Sequence, residues 1–155
     1  MALYNLSDFF ALLPPNQRLL GLDPGAKRIG VALSDVNRQI ASPYGTLARG
    51  KMKQNAAEIT AIAQREGVCG LIVGLPLDEG QKIGPRAQAA RDWAHGLSAA
   101  TGLHVAMVDE SYSTAQTHER LIEAGLSRAR RAEIVDKLAA TEILQRALDM
   151  CLRPK

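Results

Sequence analysis

Apolar and polar positions alternate with a period of two in "RLLGLD" (18–23) and "RIGVALSD" (28–35), which predicts two strands joined by the Pro24-Gly25 turn. "RQIASPYGTLAR" (38–49) reads as a third, irregular strand. Connections this short make the three antiparallel neighbours. From Lys51 to Arg65 the period becomes helical: Met52, Ala56, Ile59 and Ala63 share a face, and Gly67 closes the helix. "VCGLIVGL" (68–75) is a continuous apolar run rich in β-branched residues, as in a strand covered on both faces. After the turn "PLDEGQKIG", Pro85 opens a helix that runs to about Ala100 and carries the only tryptophan, Trp93. "LHVAMVDE" (103–110) is another strand. Ser113 and Gln116 have the spacing of a capping box for a helix ending at Gly125, and a last helix occupies about 130–150. The order βββαβαβαα, without internal repeats, predicts an α/β fold: a mixed sheet flanked by helices in a single domain over 18–155. Residues 1–17 precede it as a short amphipathic arm.

The alternation also sorts the strand faces. Leu20 and Leu22 share one face, and Leu19, Gly21 and Asp23 share the other. In the next strand Ile29, Val31 and Leu33 oppose Gly30, Ala32 and Ser34. The face that carries Asp23 is therefore built from small residues, a sign of close approach by a ligand or by another backbone. The strand at 103–110 ends in Asp109-Glu110, of which one faces the same way as Asp23. Asp136 falls in line with Ala140, Ile143 and Ala147 on the sheet-facing stripe of the last helix, whereas Glu142 and Gln145 lie around the barrel. A carboxylate on that stripe must be paired, capped or metal-bound.

Each acid also has a purely structural reading: Asp23 as a turn former, Asp109 or Glu110 as a helix-leading acid, Asp136 as a partner for Arg130 or Lys137. Together they make a cluster of hard oxygen ligands suited to divalent cations. No Cys/His set competes: Cys69 and Cys151 form no CxxC pair, and His95, His104 and His118 have no ligand spacing. Hard ligands beside basic loops fit metal-assisted phosphodiester hydrolysis, with Lys27-Arg28 neutralising phosphate.

Composition adds less. Of 155 residues, 46% are apolar and 23% charged, the balance of a soluble globular chain, and no apolar stretch approaches the roughly 20 residues of a membrane span. The arm contains Asp8 and runs into Pro14-Pro15, unlike a secretory signal, so a cytoplasmic protein is expected. The formal charge is +3, with basic clusters at Lys27-Arg28, Arg49 to Lys53 and Arg128 to Arg131 that suit an anionic partner.

Four ordered motifs, "DPGAKRIGVA" (23–32), "VGLPLDEG" (73–80), "VDESYST" (108–114) and "DKLAATEILQ" (136–145), resemble those of the YqgF family, pre-16S rRNA nucleases also described as Holliday-junction-resolvase-like proteins. The resemblance covers about residues 18–150. It implies an RNase H-like fold with a five-stranded sheet whose first three strands are antiparallel. It also implies a nuclease acting on structured nucleic acid, in trimming the 5′ end of the small-subunit ribosomal RNA precursor, with ribosomal precursor particles as partners. Carried over by position, the catalytic and Mg²⁺- or Mn²⁺-binding acids are Asp23, Glu110 and Asp136. Lys27, Arg28, Ser113, Thr114, Arg128, Arg130 and Arg131 are then the expected nucleic-acid contacts. One departure stands out: the family usually has Arg after Glu110, where this chain has Ser111. The arginines at 128, 130 and 131 are candidates to supply the missing cation.

Three other readings keep their place. An actin- or sugar-kinase-like nucleotide-binding fold needs two lobes, for which 155 residues are too few. A resolvase acting on four-way DNA uses the same chemistry. A non-catalytic RNA- or ribosome-binding protein would need the basic loops and not the acids.

Overall fold

In the computed structural model, residues 3–76, 84–110, 125 and 127–152 are described. Strands β2 (Arg18–Pro24), β3 (Arg28–Ser34) and β4 (Ala41–Ala48) form the antiparallel run expected from their short connections. Strands β5 (Val68–Pro76) and β6 (His104–Glu110) then add parallel to β2, each entered through a crossover helix. The arm contributes one more strand, β1 (Leu3–Tyr4), parallel to β6 at the sheet edge, so the full order is β1-β6-β5-β2-β3-β4. Helices α2 (Met52–Glu66) and α3 (Pro85–Thr101) cover one face. The long helix α4 (Arg128–Leu152) and the arm helix α1 (Leu6–Leu12) cover the other. The helix expected from Ser113 lies outside the described residues, apart from Gly125, whose φ of 77° suits its closing position.

The two faces are those of the alternation. Leu20, Leu22, Ile29 and Val31 pack with Ile59, Trp93 and Leu97. Leu19, Ala32, Ile72 and Ala106 pack with Ala140, Ile143 and Leu144. Phe9 of the arm is fully buried in this second cluster, a burial worth about 1.5–3 kcal/mol for such a side chain. Asn5 holds α1 in place, its side chain accepting from the Asp8 amide at 2.9 Å.

Two expectations shift at their edges. The strand read at 68–75 runs one residue further, to Pro76, which pairs with Glu110 in the β5–β6 ladder. The irregular third strand begins at Ala41 instead of Arg38, because residues 35–40 form a tight connection. In it the Asp35 carboxylate accepts from the amides of Gln39 (2.7 Å) and Ile40 (3.0 Å), and Arg38 adopts φ 56°. Gln145 of α4 reaches this connection, its Oε1 accepting from Ala41 N–H at 2.9 Å and its Nε2 donating to Gln39 O at 3.0 Å.

What approaches the small-residue face is another backbone. A Cβ on Gly21 would come within 2.6 Å of Leu144 Cβ and 2.9 Å of the Ala140 carbonyl, and one on Gly30 would collide with the carbonyl of Asp136. These glycines allow α4 to lie closer to the sheet than any side chain would permit.

Gly30→Ala is therefore expected to lower stability by about 3 kcal/mol through overpacking. Gly45→Ala, where a Cβ meets nothing within 4 Å, should stay within about 1 kcal/mol. Urea unfolding of both variants makes the comparison. The amides of Ile40 and Gln39 hold the Asp35 carboxyl below its usual value of 3.8, the Ile40 bond contributing most and slight desolvation opposing it. A depressed folded-state value means that the stabilisation is present above the unfolded value and is lost as pH falls through the folded one. The stability advantage of wild type over Asp35→Asn should thus be full well above the usual value of 3.8 and decline as the pH falls below it, as measured by denaturation across the acid range.

Candidate active site

The geometry starts at Asp23, near the C-terminal end of β2. Its cross-strand partner in β3 is Gly30, and the backbone of Asp136 lies directly over Gly30. One missing side chain thus sets two acids from opposite ends of the chain beside each other. Both line a cleft of about 450 Å³ at the C-terminal ends of the central strands, together with Gly25, Gly74, Arg49 and Arg86. Strand ends of this kind are where α/β folds place their sites.

Asp136 is half-buried on the sheet-facing stripe of α4, as its spacing predicts, and it is paired. The partner that the structure shows is Arg28, where the sequence offered Arg130 or Lys137. Arg28 Nε donates to Asp136 Oδ2 at 2.8 Å. Arg28 opens β3 two residues before Gly30, so the strand that makes room for Asp136 also supplies its cation. Arg28, an expected nucleic-acid contact, is the counter-ion of an acid.

Glu110 closes β6 opposite Pro76, two residues beyond Val108, which packs in the α4-side core. Strand parity therefore assigns the backbone position of Glu110 to the Asp23 face and that of Asp109 to the opposite one. Extending the β2–β5 register by one residue sets Asp23 level with Gly74, and Gly74 pairs with Val108. Glu110 thus stands two residues further along the same strand ends. Among the described residues no group of three or more His, Cys, Asp or Glu forms. Asp23 and Asp136 provide two hard oxygen donors, and of Glu110 the backbone is described.

The expected nucleic-acid contacts fall in several places. Lys27 is exposed in the β2–β3 turn, beside the cleft. Arg130 is exposed in the first turn of α4, its amide donating to Ser127 Oγ at 3.2 Å, which caps the helix. Arg128 and Arg131 share that turn. Ser113 and Thr114 lie outside the described residues.

Two cleft arginines were not among the expected contacts. Arg49 follows β4, and its Nη1 donates to the Gly25 carbonyl at 2.8 Å while its guanidinium lies 5.8 Å from the Trp93 ring centroid. Arg86 is exposed in the first turn of α3. The sequence marks Arg49 only as one member of a basic cluster, and nothing local ties either arginine to Asp23.

The family comparison decides the assignment: residues 17–150 match the RuvX family, described as Holliday junction resolvase. The chain belongs to the RuvX family. This agrees with the resemblance carried by the four motifs. The RuvX chain is 54% identical over 155 residues to a protein of Acidiphilium cryptum named "Putative pre-16S rRNA nuclease", covering 100% of this chain and 98% of that one. It is 55% identical over 150 residues to a protein of the same name from Gluconacetobacter diazotrophicus, covering 96% and 97%. Its fold is that of T. thermophilus RuvC, solved in complex with a Holliday junction substrate, with a TM-score of 0.53, 15% identity, and 88% and 96% of the two chains covered. Fowlpox virus resolvase, solved with Holliday junction DNA, gives the same TM-score of 0.53 at 11% identity, covering 88% and 100%. The RNase H-like architecture expected from the motifs is therefore present. No described helix of this RuvX chain is long and apolar enough to cross a membrane.

The Arg28–Asp136 pair is half-exposed, so its expected coupling energy is at most about 1 kcal/mol. A double-mutant cycle of Arg28→Gln and Asp136→Asn, read by urea unfolding, measures it directly.

Proposed function

We propose that this chain is a metal-dependent nuclease that hydrolyses phosphodiester bonds in structured nucleic acid, in 5′-end processing of pre-16S rRNA. The observation that carries this reading is the convergence of Asp23 and Asp136 on one cleft. Two carboxylates in a cleft large enough for a phosphate and its flanking sugars fit Mg²⁺ or Mn²⁺, which take hard oxygen ligands. Asp23, Asp136 and Glu110 would hold the ions. When bound, such ions supply water activation and charge stabilisation at the leaving oxygen.

The chain's own residues do the rest. Gly30 and the α4 backbone fix the spacing of the two aspartates. Arg28 offsets the charge of Asp136 and orients its carboxylate. Lys27, Arg128, Arg130 and Arg131 would serve as cations that hold the strand, and Ser113 and Thr114 would contribute hydroxyl donors. The names of the relatives at 54% and 55% identity favour the ribosomal RNA precursor as substrate. The family's description favours four-way DNA as the second reading, with the same acids.

Cleavage of an end-labelled RNA carrying the precursor 5′ extension, and of a four-way DNA junction, tests both. Wild type is expected to cut the RNA with Mn²⁺ or Mg²⁺ and not with EDTA, and Asp23→Asn, Glu110→Gln and Asp136→Asn should each fall to background. Preferential cutting of the junction selects the second reading. Mn²⁺ should raise the melting temperature of wild type and leave that of Asp23→Asn unmoved. Well-folded wild type that cuts neither probe overturns the nuclease reading.

A further inference from the structure

The cleft has a cationic wall as well as an acidic one, and its main member is fixed with unusual thoroughness. Arg49 sits in the connection between β4 and α2. Its own amide donates to the Lys27 carbonyl at 2.9 Å. The residues on either side of it are both held by one side chain, that of Asn55, which is fully buried. Asn55 Nδ2 donates to the Ala48 carbonyl at 3.0 Å, and Asn55 Oδ1 accepts from the Gly50 amide at 2.9 Å. Beyond the backbone, the Arg49 side chain lies against Trp93 and donates to Gly25, in the turn that follows Asp23.

A buried asparagine is costly unless its polar atoms are satisfied, and here its bonds fix a short loop whose central residue is an arginine. Stacking on Trp93 leaves the guanidinium edge as the part that can bond outward, and guanidinium forks suit phosphate oxygens. Arg86, in the first turn of the helix that carries Trp93, lines the same cleft. Among the described residues neither arginine forms an ion pair, although Asp23 and Asp136 line the same cleft. A cleft of about 450 Å³ lined by two acids and two arginines offers a phosphate group both a metal-binding and a cationic side.

We infer that Arg49 and Arg86 form a phosphate-binding wall for the sugar-phosphate backbone next to the bond that is cut, with Arg49 also positioning the Asp23 turn through Gly25. The inference deepens the nuclease reading and rests on it for the phrase "the bond that is cut", but the binding wall can be tested without cleavage.

The test is fluorescence-anisotropy binding of the full chain in EDTA to two probes, the precursor RNA and a four-way DNA junction, across roughly 50–200 mM salt. Arg49→Gln and Arg86→Gln should each weaken binding and lower the slope of log affinity against log salt by about 1, and the double variant by about 2. Arg49→Lys keeps the charge and should keep the slope. Arg146→Gln, ten residues from Asp136 and so about 15 Å along α4, removes the same charge away from the cleft and should leave the slope unchanged. A loss confined to the RNA, or to the junction, identifies which backbone the wall serves. Wild-type slopes in Arg49→Gln and Arg86→Gln, or an equal fall in Arg146→Gln, overturn the inference. Wild type that binds with the expected slopes yet cuts neither probe overturns the nuclease reading and leaves the binding wall standing.

Discussion

The backbone of α4 rests on the sheet at Gly21 and Gly30, and the site depends on that close approach. At Gly30 a single methyl group would occupy the space of the Asp136 carbonyl. Because Gly30 is also the cross-strand partner of Asp23, the same contact that seats the helix sets the distance between the two aspartates. Packing and chemistry are not separable here. Interiors as dense as organic crystals do not yield by fractions of an ångström, so the register of α4 on the sheet is also the register of the site.

Two carboxylates that line one cleft concentrate negative charge there, and a cation offsets part of it. Arg28, from the strand that accommodates Asp136, donates to it at 2.8 Å. Such a pair contributes little to stability, since both side chains remain partly exposed. Its effect is to hold Asp136 in one orientation and to reduce the negative charge of the cleft. Arg49 is anchored differently, by an indole, a turn carbonyl and a buried asparagine, none of which neutralises it. Among the described residues the cleft thus combines an acid paired with Arg28 and two arginines, Arg49 and Arg86, that form no ion pair.

The N-terminal arm shows the limits of local reading most plainly. Its amphipathic pattern and the Pro14-Pro15 stop are visible in the sequence. Where its apolar face goes is not, because Phe9 is buried only through contact with residues far along the chain. It packs in the α4-side cluster, beneath the same helix that carries Asp136, and β1 completes the sheet edge beside β6. Since α4 also fastens the β3–β4 connection through Gln145, that helix is tied to both ends of the sheet.

The sequence by itself determined the elements from β2 to β6 with α2, α3 and α4 and their strand faces, and singled out Asp23 and Asp136, which line one cleft. Period-two and helical patterns are enforced locally, residue by residue, by which side chains can face a core, so Leu20, Leu22, Ile29 and Val31 separated from Leu19 and Ala32 as read. The glycines announced a close approach without saying by what. Only the tertiary structure decided that the visitor is the α4 backbone, that Asp136 pairs with Arg28 instead of Arg130 or Lys137, and that Arg49 and Arg86 meet in the cleft. Those facts depend on contacts between residues distant along the chain, and no local periodicity encodes which of several nearby cations a helix rotation will bring within 2.8 Å of a carboxylate.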